Sequence, residues 1–222
     1  MSCQMEDVAI AYGFNKIPRL SPNKSAIIAK PLPINKLGDI VRLECASAGW
    51  LEVMPLALCS HEENFEWLRR VDDGTTAIKL ANPKSLEYQV VRTSLLPGLL
   101  KTIRENKSVK LPLTIFEVSD VALKDESQER KTKNERRWGA AFCGKRSGFE
   151  DVHGLLDRIM AMLSVPFVPS SEADGYFLEE IKEPTFFEGR AASVNLRQGG
   201  KVQRIGEFGI LHPEVLKHYD LK

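Results

Sequence analysis

Several things are scarce in this 222-residue chain, and each scarcity removes a class of protein. Cysteine occurs four times, at Cys3, Cys45, Cys59 and Cys143, and never at CxxC spacing. A zinc site or a dithiol redox motif needs ligands close in sequence, so neither is indicated. Scattered cysteines read as free thiols in a reducing compartment. No apolar run reaches the roughly 18 residues that cross a bilayer, and Met1 to Ile10 is too short and too polar for a secretory signal. Charge of one sign is also missing: 31 Lys+Arg against 30 Asp+Glu leaves +1. An autonomous nucleic-acid binder carries a marked basic surplus. The chain has no P-loop, no GxGxxG and no Ser–His–Asp arrangement. What remains is a soluble cytoplasmic protein whose 43% hydrophobic residues can build a substantial core.

The most informative stretch runs from Asn82 to Leu123. Asn82-Pro83 favours a turn, and Glu87 to Val91 reads as extended chain. Ser94 is placed to cap a helix whose first turn holds Pro97, where a missing N–H costs little. Leu96, Leu99, Leu100 and Ile103 recur at helical spacing, while Lys101, Arg104 and Lys107 lie on the other face. Pro112 stops the helix, and Leu113 to Leu123 is rich in β-branched and aromatic residues, as a strand should be. The unit is strand, helix, strand.

The flanks add similar units. Val8, Ala9, Ile10 and Tyr12 suggest the tail of a helix stopped by Gly13. Ser21 to Pro33 is a polar connector. Leu37, Ile40, Val41 and Cys45 predict an amphipathic helix over 35–48, capped by Asn35 and ended by Gly49. A strand over Trp50–Cys59 follows, then a Ser60-capped helix through Arg70, a turn at Asp72-Asp73-Gly74 and a strand over Thr75–Leu80. The run 124–137 has no apolar residue; it reads as a solvated hairpin loop, or alternatively as an RNA contact. Trp138 to Cys143 is a strand. Phe149 to Leu163 is a helix with Val152, Leu155, Leu156, Ile159, Met160 and Leu163 on one face, with His153 at its surface. Strands over Tyr176–Ile181 and Phe186–Val194, a Gly199-Gly200 hairpin turn, a strand over Val202–Phe208 and a helix opening at Pro213 complete the chain.

The ordered set NP…S…VRTSLLPGLL…N…LxxFEVSDV, with MEDVAIAYGFNKIPRL, FEDVHGLLDRIM and IGEFGILHPEVL around it, resembles the β subunit of phenylalanyl-tRNA synthetase in its cytosolic eukaryotic and archaeal form. The resemblance implies an α+β fold: a mainly antiparallel, class II synthetase-like sheet flanked by helices, in a copy that has lost its active site. It implies that 1–20 is the tail of a preceding small domain with its linker, and that 21–222 is the synthetase-like core, ending short of its last strand. The helix and strand over 35–59 resemble the first class II signature motif, which makes a subunit interface; the alternative is that both faces are internal core. The implied partner is the catalytic α subunit, in an α2β2 heterotetramer that joins phenylalanine to tRNA(Phe) with ATP and magnesium. The isolated chain would need no cofactor and would be inactive.

The same resemblance marks Glu6 and Asp7 as carboxylates of a magnesium site. The family's third ligand, an Asp, is replaced here by Cys3, and a hard cation wants oxygen. The other reading is a solvated acidic pair. Class II chemistry needs cations on phosphates and carboxylates on magnesium. The second signature motif supplies Arg–x–Glu, but Arg92 is followed by Thr93 and Ser94. In the third, His212 and Pro213 stand where an Arg would grip phosphate. A free-standing adenylating enzyme would have to rely on Arg92, Arg190 and Arg204. A nucleic-acid module would have to rely on 124–137 and Lys101–Lys110.

Overall fold

The computed structural model describes residues 2–18, 30–169 and 173–221. It forms two units, Met1–Lys36 and Leu37–Lys222. In the first, helix α1 (Ser2–Tyr12) ends at Gly13, whose φ of +98° suits a residue without a Cβ. A single 3-10 turn, Phe14–Lys16, follows. Most of the Ser21–Pro33 connector lies outside the described residues.

Helix α2 (Pro33–Ser47) begins two residues before the predicted start. Proline suits a first helical position, and the Asn35 N–H donates to the Leu32 carbonyl at 2.9 Å, so Asn35 lies within the first turn and does not cap it. The strand predicted over Trp50–Cys59 is two short strands, β1 (Leu51–Glu52) and β2 (Leu58–Cys59), in different sheets. Pro55 lies between them and has no N–H to give a ladder.

Ser60 and Glu63 form a reciprocal capping box for α3 (His61–Asn64). That helix stops well before Arg70; a 3-10 turn over Glu66–Leu68 follows and leaves Arg69 left-handed at φ 59°. The strand expected over Thr75–Leu80 reduces to a bridge between Lys79 and Val90. The stretch before β3 (Val90–Val91) contains a 3-10 turn, Leu86–Tyr88, where extended chain was expected. β2 and β3 pair antiparallel.

Helix α4 (Leu96–Glu105) has Pro97 in its first turn, as expected, and buries Leu99, Leu100 and Ile103. Its N-cap is Leu95; Ser94 Oγ accepts the Leu96 N–H from one residue further out, at 3.3 Å. β4 (Leu113–Lys124) and β5 (Thr132–Cys143) make a twelve-residue antiparallel ladder, and β1 joins the far side of β4 in parallel. The charged run 124–137 is therefore loop only over its first half. From Thr132 it is strand, held opposite Ser119–Lys124, with Arg136 paired to Asp120 across the ladder.

Helix α5 (Phe149–Met162) spans two sheets. Leu155 and Ile159 pack with Val41 and Cys45 of α2 and with Phe116 and Val118 of β4. Leu156 and Met160, one residue round, pack on Tyr176, Val194 and Phe208. Those three belong to an antiparallel sheet of β6 (Gly175–Glu180), β7 (Phe186–Gln198) and β8 (Lys201–Leu211). Gly199 and Gly200, at φ 57° and 78°, make the β7–β8 turn. Helix α6 (Pro213–His218) returns to pack Val215 and Tyr219 against Leu68 and Leu100. The architecture is α+β. Among the described residues the one sheet expected is three small sheets, antiparallel except at β1–β4, and β5 and β8 are both outer strands.

Phe116 is fully buried where α2, α5 and β4 meet. Phe116→Ala should lower the unfolding free energy by about 3–5 kcal/mol in urea titrations; a loss under about 1 kcal/mol would mean that these elements do not share a core.

Candidate functional site

β4 presents Phe116 and Val118 to α2 and α5, and Ile115 and Glu117 to the opposite face, covered by α4. A carboxylate inside the buried run Ile115–Val118 needs a partner. That partner is Arg92, which follows β3. Arg92 Nη1 lies 2.7 Å from Glu117 Oε1, with the two side chains 4% and 2% exposed. The rest of the guanidinium is also engaged: Nε and Nη2 donate to the Asp120 carbonyl at 3.3 and 3.2 Å. Burial pushes the Glu117 carboxyl up, and the Arg92 charge opposes that.

Next along the face, Asn64 Oδ1 accepts the Thr93 N–H and hydroxyl at 3.1 and 3.2 Å. Glu63 pairs with Lys101 of α4 at 2.9 Å, and the Tyr219 hydroxyl donates to the Glu63 carbonyl at 2.9 Å. A hollow of ≈ 160 Å³ remains between Pro55, Leu58, Cys59, Arg92, Pro97 and Lys101. Cys59 is no nucleophile: burial pushes its thiol up to about 12.

The corresponding face of the β6–β8 sheet is also polar and also self-paired. Arg70 reaches Glu207 at 2.7 Å and Thr185 at 3.2 Å, and Arg204 pairs with the same Glu207. Asn195 donates to Glu179 at 2.9 Å.

The structure disperses the candidate phosphate-binding residues. Arg92 is buried and spent on Glu117. Arg204 stands opposite Asn195 on β7, five residues from Arg190, which is about 17 Å of strand. Arg190 is exposed beside Gly189, at an irregularity of β7 between Phe186 and Ala191. His212 is the N-cap of α6, its Nδ1 accepting the Glu214 N–H at 3.2 Å. Glu6 and Asp7 are both exposed on α1. Neighbouring helical side chains diverge by about 100°, so these two do not make a closed ligand set by themselves. Among the described residues no three His, Cys, Asp or Glu side chains converge as a metal site. Among the described residues the donors therefore do not fit a magnesium site by themselves.

Sequence reasoning missed Glu117, Glu63, Glu207 and Tyr219, and it named Lys101 only as a surface cation and a candidate nucleic-acid contact. Glu117 carried a signal, since a lone carboxylate in an apolar strand is informative. Tyr219 carried none: the carbonyl its hydroxyl meets lies 156 residues away in sequence.

A fold of this kind occurs in a solved tRNA synthetase. A solved pyrrolysyl tRNA synthetase of Desulfitobacterium hafniense superposes with a TM-score of 0.63 over 86% of this chain and 63% of that one, at 10% identity, so the likeness is one of fold. The family follows from sequence. Residues 17–222 match the model of the phenylalanyl tRNA synthetase beta chain CLM domain, and the chain belongs to that family. It is 53% identical to the phenylalanine–tRNA ligase beta subunit of Schizosaccharomyces pombe over 98% of its own length and 38% of the relative's. It is 49% identical to that of Saccharomyces cerevisiae, again over 38% of the relative, and 46% identical to one from Arabidopsis thaliana named as cytoplasmic, over 36%. The chain thus spans little more than a third of the relatives it matches. Among the described residues no helix is long and apolar enough to cross a membrane.

Two outcomes test this electrostatic picture. Arg92→Met strands a buried carboxylate and should cost about 3–5 kcal/mol in chemical denaturation, most of it recovered in Arg92→Met/Glu117→Leu. At the Asp72 turn, hydrogen bonds from His61 and the Gly74 N–H, with Lys79 nearby, hold the carboxyl at about 2 against an ordinary 3.8. A depressed carboxyl stabilises the fold above its ordinary value and loses that contribution as pH falls through its folded value. Thermal midpoints should therefore fall between pH 3.8 and about 2, with a smaller fall in Asp72→Asn.

Proposed function

We propose that this chain is the non-catalytic, synthetase-like body of a phenylalanyl-tRNA synthetase β subunit, and that it docks the catalytic α subunit. The observation that carries this is the occupation of the would-be catalytic face. Arg92 is held by Glu117, and Glu207 is held by Arg70 and Arg204. A phosphate-binding site needs cations free to meet the ligand, and a buried guanidinium already neutralised by a carboxylate cannot meet it without breaking that pair. Shape and surface are then the chain's contribution.

The surface favoured for docking is the 35–59 helix and strand. Leu43 is 70% exposed on α2, and Leu51, Met54 and Leu56 are 60%, 89% and 68% exposed beyond it. Clustered apolar side chains left in solvent mark an interaction face. Arg42 fixes the helix to the strand, reaching Glu52 at 2.8 Å and the Val118 carbonyl at 2.8 Å. In this reading the complex is an α2β2 heterotetramer in the cytoplasm. It charges tRNA(Phe) with phenylalanine, and ATP and magnesium act in the α subunit. Glu6 and Asp7 would serve a magnesium ion only with oxygen donors from another part of the assembly.

Co-purification tests it. A full-length β subunit carrying Leu43→Glu and Met54→Glu should recover at least about tenfold less α subunit, since each charge is stranded in an apolar interface worth over 1.4 kcal/mol. The unaltered chain alone should show no phenylalanine-dependent ATP–pyrophosphate exchange. Exchange by the chain alone, or undiminished recovery of α by the double variant, overturns the proposal.

A further inference from the structure

The β7–β8 hairpin carries charge that the rest of its sheet does not use. Between Glu188 and Glu207 the sequence has no Asp or Glu and four cations, Arg190, Arg197, Lys201 and Arg204, in a chain whose net charge is only +1. Cations segregated in this way within a balanced chain make a local electrostatic surface. The hairpin brings three of the four together. Arg197 stands opposite Val202, and Arg204 opposite Asn195. The two arginines are therefore diagonal neighbours on one face, about 7–8 Å apart. Lys201 opens β8 opposite Gln198.

The tip of this ribbon stands clear of the core. A strand packed on one side alternates in burial, but Lys201, Val202, Gln203, Arg204 and Ile205 are all exposed. Arg204 is engaged by Glu207. Among the described residues, Arg197 and Lys201 have no carboxylate partner. Asp174, next to Gly175 opposite Arg197, accepts the Gly199 N–H at 3.2 Å and so holds the turn.

Two unspent cations interleaved with the amides of Gln198 and Gln203 are complementary to a ribose–phosphate backbone. The cations meet phosphates, and amides both donate to and accept from 2′-hydroxyls. A bilayer surface instead calls for an apolar face that sinks below the headgroups. Two scattered apolar residues, Val202 and Ile205, do not make one.

We infer that the tip of the β7–β8 hairpin contacts the backbone of tRNA, with Arg197 and Lys201 on its phosphates. The inference rests on the reading of this chain as part of a tRNA-charging complex, and adds to it an RNA contact made by the chain itself.

A salt series of tRNA(Phe) binding by the complete α–β complex tests it. Each phosphate contact contributes about 0.9 to the slope of log affinity against log salt. Arg197→Gln/Lys201→Gln should therefore flatten that slope by about 1–2 and weaken binding by at least about tenfold at about 0.15 M salt. Arg197→Lys/Lys201→Arg keeps both charges and should keep the slope. Phenylalanine-dependent ATP–pyrophosphate exchange by the complex should be unchanged in both variants. Unaltered affinity and slope in the glutamine variant overturn the inference and leave docking intact. Weaker binding at an unaltered slope also overturns it, as does an equal loss in the charge-keeping variant. Intact tRNA binding with lost sedimentation on anionic phospholipid vesicles assigns the tip to a membrane and overturns it too. Unaltered subunits that do not co-purify overturn the docking reading, and the inference with it.

Discussion

The Arg92–Glu117 pair is the contact on which the rest of this fold depends. Removing two charges from water costs several kcal/mol per ion, and only close approach with further hydrogen bonds offsets that. Here the approach is 2.7 Å and the Asp120 carbonyl accepts from Nε and Nη2. The pair thereby joins the residue after β3 to two points on β4. It also takes the Arg92 charge out of solvent, because that charge already meets a carboxylate of its own sheet. A functional reading of this protein starts from that internal neutralisation.

Packing follows the same economy of few elements serving several neighbours. Helix α5 places adjacent residues, Leu155 with Leu156 and Ile159 with Met160, on different sheets. Its apolar stripe is accordingly wider than a single-sheet helix requires. On the other side, Val215 and Tyr219 of the closing segment fill the space against Leu68 and Leu100. The Tyr219 hydroxyl then satisfies the α3 backbone at Glu63. The C-terminal turn thus closes over α3 and the start of α4.

What could be read from the sequence was whatever is local. The stripe of α5, the capping box at Ser60, the Pro97 turn of α4 and the Gly199-Gly200 hairpin all follow from neighbours within a few residues. Errors arose where distant partners decide the outcome. The 124–137 run looked like loop because it is wholly polar, yet half of it is strand: Asp120 on β4 provides Arg136 with a counter-charge that the run alone does not reveal. Trp50–Cys59 looked like one strand because its composition is continuous, yet Pro55 divides it between two sheets. Extended chain over Glu87–Val91 reduced to a strand of two residues after a 3-10 turn. At the site, the absence of a usable Arg–x–Glu was legible in Arg92-Thr93-Ser94. The carboxylate that claims Arg92 was not, because it comes from a strand 25 residues on, and pairing at that distance is set by tertiary geometry.

The small side chain at Gly98 has a consequence for recognition. A Cβ there would come within 2.7 Å of the Pro55 ring, so the first turn of α4 and the β1–β2 connector are in close contact only because that atom is missing. Pro55 is thus wedged between two exposed apolar residues, Met54 and Leu56, and its own φ is already fixed by its ring. A connector braced in this way surrenders little backbone freedom when another molecule closes over it, so more of the buried area there can be expressed as affinity. An alanine at position 98 would add only one methyl group, yet it would press on the Pro55 ring and loosen the connector.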